Sequence, residues 1–410
     1  MKPVALAEAL NIILEAVSLP GSETISVRDA LGRVLARDLP LERDFPDLPR
    51  SAVDGFAVQS GMKRQFKVVT EVAAGHLPDR KLQPGEAAAV MTGGVVPEGA
   101  DCVVMLEECR REGTQLTVGI TCRPGDMINP AGSEAAAGTL LASTGQRIGP
   151  GLFPALFCAG WAEVPVFRQP RVGILATGDE LREVEDGHQP GMVFNTNRYI
   201  VEAVCTGLGL PCEVLPAVGD RPEAVTAALD DLCSRCDFVV TSGGVSVGRY
   251  DFVRRVLEDD PQDLLLAGTR IKPGRPLHVA RRQSALVFAM PGYPAALLTN
   301  AFLYLAPALK KGMGRSDHAS RWFTATTLNG FRGRPGRQYL ARARLALRDG
   351  RWTATDPGSQ FSSHFLNFAE VNGLVRLPLQ VETSLVEADG SYTLPPGAEV
   401  DVLHFDLELA

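Results

Sequence analysis

No apolar run in this sequence is long enough to cross a bilayer as a helix. The most apolar stretch, Ala295 to Leu309, contains Thr299, Asn300 and Pro307, and it falls short of the ~20 residues a helical span requires. No signal peptide is expected either: Leu6-Ala-Glu-Ala-Leu-Asn-Ile-Ile-Leu-Glu-Ala-Val17 reads as an amphipathic helix carrying carboxylates. A cytoplasmic location is the expectation. There is no excess of positive charge, since 41 Lys and Arg face 48 Asp and Glu for a net charge of −7. That balance speaks against a broad nucleic-acid or anionic-membrane surface, yet leaves room for a small basic pocket. Nor is there a disulfide framework. The 8 cysteines are scattered, and Cys233-Ser-Arg-Cys236 has metal-ligand spacing without an accompanying His pair. Buried thiols are expected, not a zinc or redox site. Internal repeats and low-complexity runs are absent.

The 410 residues are enough for two to four domains, and 45% hydrophobic with 22% charged residues is a soluble globular composition. Residues 21–165 hold many glycines and prolines between short alternating runs, such as Gln65 to Val72 and Ala100 to Glu107, and read as small β-rich modules. From Arg171 the pattern changes. Apolar strands at 171–177, 212–218, 237–241, 277–280 and 285–289 are interspersed with helical patterns at 196–208, 222–236, 251–258 and 294–311. Continuously apolar strands alternating with helices imply a parallel sheet covered on both faces. Residues 320–410 alternate again, as in Tyr339 to Leu347, and read as a small β-barrel or sandwich.

Ligands of open parallel sheets sit beyond the carboxyl ends of the strands, so the turns that follow those strands are the candidates. Ala176-Thr-Gly-Asp-Glu180 offers a glycine for close backbone approach and two carboxylates suited to a cation or a hydroxyl. Thr241-Ser-Gly-Gly-Val-Ser-Val-Gly248 exposes backbone N–H groups and hydroxyls that suit phosphate or another oxyanion, with Asp251 close behind. It is neither a P-loop nor a dinucleotide fingerprint, because the Lys is missing and the glycine spacing differs. Ile271-Lys-Pro-Gly-Arg-Pro276 and Met290-Pro-Gly-Tyr-Pro294 add Lys272 and Arg275 on stiff loops. Together the turns describe a pocket for a phosphorylated ligand with carboxylates for a metal ion; the ligand's identity stays open at this level.

The ordered set of motifs resembles the molybdopterin molybdenumtransferase family (MoeA and the gephyrin E domain) over nearly the whole length. It comprises Ser51-Ala-Val-Asp-Gly-Phe-Ala-Val58, Met91-Thr-Gly-Gly-Val-Val-Pro-Glu-Gly-Ala-Asp101, the Thr-Gly-Asp-Glu turn, Val218-Gly-Asp220, the Ser-Gly-Gly run, Lys272-Pro-Gly-Arg-Pro276 and the Pro-Gly-Tyr-Pro turn. The resemblance implies a multidomain α/β plus β fold: a central doubly wound α/β (MogA-like) domain, N-terminal β-rich domains and a C-terminal β-barrel. The implied divisions are a helix over 1–20 packing on the α/β domain, a linking domain from 21–45 and 139–168, a second domain at 46–138, the α/β domain at 169–316 and the barrel at 317–410. The implied reaction is Mg²⁺-assisted insertion of molybdate into adenylylated molybdopterin with release of AMP. The implied assembly is a homodimer with a shared active site. An upstream adenylylating protein and downstream apo-molybdoenzymes are its implied partners.

Carried over by position, the resemblance makes Asp54, Thr92, Glu180, Asp220, Asp251, Lys272 and Arg275 catalytic. Substrate binding falls to Thr177, Gly178, Asp179, Ser242, Gly243, Gly244, Ser246 and Gly248, with Pro291, Pro294, Arg337 and Arg342. Mg²⁺ falls to Asp220, Asp251 and Glu134. The chain departs from the family where Asn129-Pro-Ala-Gly-Ser-Glu134 replaces Arg-x-x-Gly-Glu-Asp, and where Asn367 replaces a serine of a Gly-Ser-x-x-Leu-Ser-Ser pattern. Three other readings compete: a tungstate-preferring paralogue, a molybdopterin-binding scaffold with weak catalysis, and a CinA-type nucleotide amidase. The Ser-Ala-Val-Asp-Gly-Phe motif and the C-terminal β region argue against the last.

Overall fold

A computed structural model describes residues 2–245, 252–258 and 263–408. The chain divides into two compact units, one of Met1–Ala36, Gly145–Gly149 and Glu163–Ala410, the other of Arg37–Thr144 and Pro150–Ala162.

The larger unit is built on a six-stranded sheet in the order Cys212–Val214, Val172–Ala176, Phe238–Ser242, Ala285–Met290, His278–Arg282, Leu264–Ala267. The first four strands are parallel. Their unbroken apolar character follows from burial on both faces. Ile174, Val240 and Phe288 face one core with Ala9 and Ile13 of the helix Leu6–Ala16, while Leu175, Val239 and Val287 face another with Leu229 and Val253. The period of two sends neighbours to opposite layers.

The sheet is not wholly parallel, as the pattern implied. His278–Arg282 and Ala285–Met290 pair antiparallel with Arg282 opposite Ala285, and Gln283 in the connecting pair has φ 54°. A two-residue loop can only send the chain back on itself. The expected strand 212–218 ends at Val214, just before Pro216, which has no N–H for a ladder. The expected helix 294–311 is interrupted: Pro294–Asn300 and Ala306–Gly312 flank a wide π turn at Ala301–Leu305. Pro307 cannot donate the usual helical bond and its ring crowds the preceding turn, which a widened turn relieves.

Five strands, Phe323–Thr327, Gln338–Arg348, Arg351–Thr355, Gly373–Arg376 and Glu399–His404, close into a barrel because Gln338–Arg348 pairs at both ends of the series. Phe331, Tyr392 and Val402 fill its core. Ile271–Lys272 runs parallel to the start of Gln338–Arg348, with Lys272 beside Tyr339, and so ties a loop of the α/β sheet to the barrel. Ser22–Ser26 pairs antiparallel with Glu163–Phe167 in the same unit.

The smaller unit carries a six-stranded sheet ordered Cys102–Met105, Gly55–Val58, Glu86–Val90, Gln65–Val72, Gln115–Val118, Cys109–Glu112. Phe56, Phe66 and Leu116 occupy its core.

Cys233 and Cys236 are buried, and burial pushes their thiols up to about 12 and about 11. They are buried thiols, as expected from the sequence. Among the described residues no helix is long and apolar enough to cross a membrane.

Phe288 is fully buried in the central strand. Phe288→Ala should destabilise the protein by about 3–5 kcal/mol, read as a lower denaturation midpoint in urea; an unchanged midpoint would contradict this core.

Candidate active site

The parallel ladder stays bonded to its very edge. Thr177 N–H donates to Ser242 O at 3.0 Å, and Gly243 N–H donates to Met290 O at 3.1 Å. The row of free N–H groups expected at the Ser-Gly-Gly turn is therefore shortened, because the sheet uses the one on Gly243. The glycine itself is required by shape: its φ is +93°, and a Cβ there would lie 2.6 Å from Thr177 O.

Beyond this edge lies a cavity of about 570 Å³, within the range of small-molecule sites. Thr177, Gly178, Glu180 and Asp220 line it, with Ser242, Gly243, Gly244, Pro291 and Pro294. Sequence-distant turns thus converge on one space. Asp179 is not part of the lining; its Oδ1 accepts from Asp220 N–H at 3.2 Å and so links two of the turns. Ser246, Gly248 and Asp251 lie outside the described residues. Among the described residues, no three His, Cys, Asp or Glu side chains cluster as a ready metal cage.

The basic loop borders this cavity through Pro276. Lys272 and Arg275 are exposed, and Lys272 Nζ sits 5.2 Å from the centroid of the Tyr339 ring. The loop's carbonyl at Gly274 accepts from Asn300 Nδ2 at 3.1 Å and Thr269 Oγ1 at 3.3 Å, two buried groups that fix its path. Arg337 is exposed at the entry to the barrel strand.

Arg342 is placed differently from the other cations. It is 1% exposed, so it presents no charge to solvent. Its Nη2 donates to Ser359 O at 2.7 Å and Phe361 O at 3.3 Å, and its guanidinium lies 5.2 Å from the Phe368 centroid. Asn367 Nδ2 donates to the same Ser359 carbonyl at 3.0 Å. Both residues fasten the segment 359–368, whose Phe365 reaches the cavity lining.

Sequence reasoning missed Asn195, Asn197, Phe194 and Phe365, all of which line the cavity. Asn195 and Asn197 flank the first residue of the helix Thr196–Gly207. Two buried amides so close to a helix start were the available signal, but burial is not legible without the fold.

In the smaller unit, Asp54 Oδ1 accepts from Thr92 N–H at 2.6 Å and Thr92 Oγ1 at 2.9 Å. These bonds, the backbone one foremost, hold the Asp54 carboxyl below the usual aspartate range. Thr92 and Glu134 line a cavity of about 720 Å³ together with Arg43, Arg50 and Ser51. Arg50 donates to Gly93 O at 3.0 Å and pairs with Asp47 at 2.8 Å.

Three family models cover the chain: the MoeA N-terminal region (domain I and II) matches residues 4–160, a probable molybdopterin binding domain matches 173–311, and the MoeA C-terminal region (domain IV) matches 324–405. The molybdopterin molybdenumtransferase of Bacillus subtilis is 31% identical over 389 residues, covering 92% of this chain and 90% of that protein. That of a Nostoc species is 31% identical over 382 residues, covering 90% and 88%. A crystal structure of the molybdopterin biosynthesis MoeA protein from Pyrococcus horikoshii matches at a TM-score of 0.84 and 28% identity, covering 98% of this chain and 99% of that one.

A folded-state carboxyl pKa that is depressed lends stability above the unfolded value, and that stability fades as pH falls through the folded value. Thr92→Val removes the hydroxyl bond to Asp54, so the Asp54 carboxyl should titrate at higher pH by NMR. An unmoved titration would contradict the assignment of Thr92 as its partner.

Proposed function

Given that the chain belongs to the molybdopterin molybdenumtransferase family, we propose that it inserts molybdate into adenylylated molybdopterin and releases AMP. The observation that carries this reading is the single cavity at the strand edge, where Glu180, Asp220, Ser242 and the Pro-Gly-Tyr-Pro turn meet beside the loop of Lys272 and Arg275. In this reading two thiols of the substrate replace two oxo groups of molybdate, which leave as water after taking up the thiol protons and two more, and a water molecule adds at phosphorus as the phosphoanhydride P–O bond breaks, giving AMP and the pterin's terminal phosphate and returning protons. Lys272 and Arg275 attract the anionic substrate and molybdate, with Arg337 at the barrel entry adding charge. Thr177, Ser242 and the backbone of Gly178 and Gly244 orient the ligand, and Pro291 and Pro294 fix the opposite turn.

Mg²⁺ suits this site on donor chemistry. Glu180 and Asp220 are hard oxygen donors on one cavity, and Mg²⁺ is commonly bound through one or two carboxylates plus substrate phosphates. Asp220, with Glu180 and Asp251, would hold the ion, which when bound would neutralise charge on the phosphates. Glu134 belongs to the separate cavity of the smaller unit. Arg342 acts here as a positioning group for segment 359–368, with Ser359 and Asn367 as its companions. A homodimer with a shared active site completes the reading, with Asp54 and Thr92 among the contributed groups.

The test is single-turnover AMP release from adenylylated molybdopterin with molybdate and Mg²⁺. The wild type should release AMP; Asp220→Asn and Lys272→Ala should each slow release at least about tenfold. Running tungstate in parallel identifies the preferred oxyanion. Tight substrate binding without AMP release would favour a scaffold and overturn the enzymatic reading. For the dimer, mixing Asp54→Ala with Asp220→Asn should restore part of the activity that each variant lacks alone; no restoration would contradict a shared site.

A further inference from the structure

Glu180 and Asp220 belong to different turns, and both line one cavity only because those turns are fastened to each other. The fastening begins as sheet. Val218 N–H donates to Ala176 O at 3.0 Å, Thr177 forms a parallel bridge with Val218, and Gly178 N–H donates to Val218 O at 3.1 Å. Past Val218 a side chain continues the series: Asp179 Oδ1 accepts from Asp220 N–H at 3.2 Å. This bond falls where regular structure gives little support. The strand Cys212–Val214 has already ended, and Arg221, at the start of the helix Pro222–Cys233, makes no side-chain capping bond.

The residue between Val218 and Asp220 is shaped for this contact. A Cβ on Gly219 would lie 2.5 Å from Asp179 Oδ1, and the next atom it would meet is Asp179 Cγ at 3.8 Å. The space a side chain would take at Gly219 is therefore the space the Asp179 carboxylate occupies. The obstacle is the end of an exposed side chain and not backbone, so a methyl group there would displace Asp179 and leave the fold in place. Asp179 and Glu180 are adjacent in the chain, yet Glu180 lines the cavity and Asp179 does not.

We propose that Asp179 is a positioning residue: it holds the turn that presents Asp220 to the cavity, and Gly219 supplies the room it needs. The proposal rests on the proposed function, in which Asp220 acts in that cavity, and it replaces the substrate contact that the resemblance gives to Asp179. The role needs an oxygen acceptor, not a charge. Asparagine keeps an acceptor of the same shape, and alanine keeps none. A carboxylate that touched a cation or a reacting group would lose its function in either variant.

The test uses the full-length protein and two readouts, the amide proton resonance of Asp220 and single-turnover AMP release. Asp179→Ala and Gly219→Ala should each move the Asp220 amide proton upfield, as loss of a hydrogen bond does. Each should lower the AMP-release rate at saturating substrate about tenfold, with KM held within about twofold. Asp179→Asn should restore the rate to within about threefold of the wild type. The double variant Asp179→Ala with Gly219→Ala should be no worse than Asp179→Ala alone, because both changes remove one contact. The urea midpoint should not change in the Asp179 variants, since that side chain is exposed. A rate for Asp179→Asn as low as that of Asp179→Ala overturns the proposal, because the charge itself would then be required. An Asp220 amide unmoved in Asp179→Ala overturns it as well. A wild type that releases no AMP overturns the function reading instead, and the amide resonance still decides whether Asp179 holds Asp220.

Discussion

The site depends on one constraint: three adjacent parallel strands must end together, in register, at one edge of the sheet. Val172–Ala176, Phe238–Ser242 and Ala285–Met290 pair residue for residue, so that Ala176, Ser242 and Met290 stand abreast. The bonds Thr177 N–H to Ser242 O and Gly243 N–H to Met290 O extend the alignment into the turns. Backbone pairing sets these positions more rigidly than side-chain contacts could, because a slip of one residue would turn every side chain to the wrong core. The two apolar layers, centred on Phe288 on one side and Val287 on the other, penalise that slip.

The chemistry is laid over this rigid edge by less regular pieces. Asp179 joins its turn to Asp220, Asn300 and Thr269 hold the basic loop, and Ile271–Lys272 couples that loop to the barrel strand Gln338–Arg348. The barrel therefore has two links to the site, one through Tyr339 beneath Lys272 and one through segment 359–368 with Phe365. Arg342 joins both: it is on the same strand as Tyr339 and it secures that segment. Its burial gives a strongly charged side chain a mechanical role, with two carbonyls and an aromatic face as its surroundings.

Much of this was legible in the sequence because it rests on local pattern. Continuous apolar strands, turn glycines and the ordered motifs pointed to the parallel sheet and to the turns that line the cavity, including Thr177, Glu180, Asp220 and Ser242. What was not legible depends on tertiary placement. The return of the last two strands hinged on the length of the Gln283–Ser284 loop, and the π turn hinged on how Pro307 is accommodated in a helix whose length alone suggested continuity. Arg342 carries a charge that sequence reasoning sends to a ligand, whereas closure of the barrel puts it inside. Phe365 is more than 60 residues beyond the last of the cavity turns, and only the folding of the barrel against the α/β sheet brings it there. Asn195 and Asn197 looked like ordinary polar residues at a helix start until their burial was seen.

The central claim is that this cavity carries out molybdenum insertion. It is tested most directly by reconstitution: purified protein is incubated with adenylylated molybdopterin, molybdate and Mg²⁺, and the product is given to an apo-molybdoenzyme. The account predicts molybdenum-dependent recovery of that enzyme's activity with the wild type, and little with Asp220→Asn. Equal recovery with and without the protein, under conditions where it binds the substrate, would contradict it.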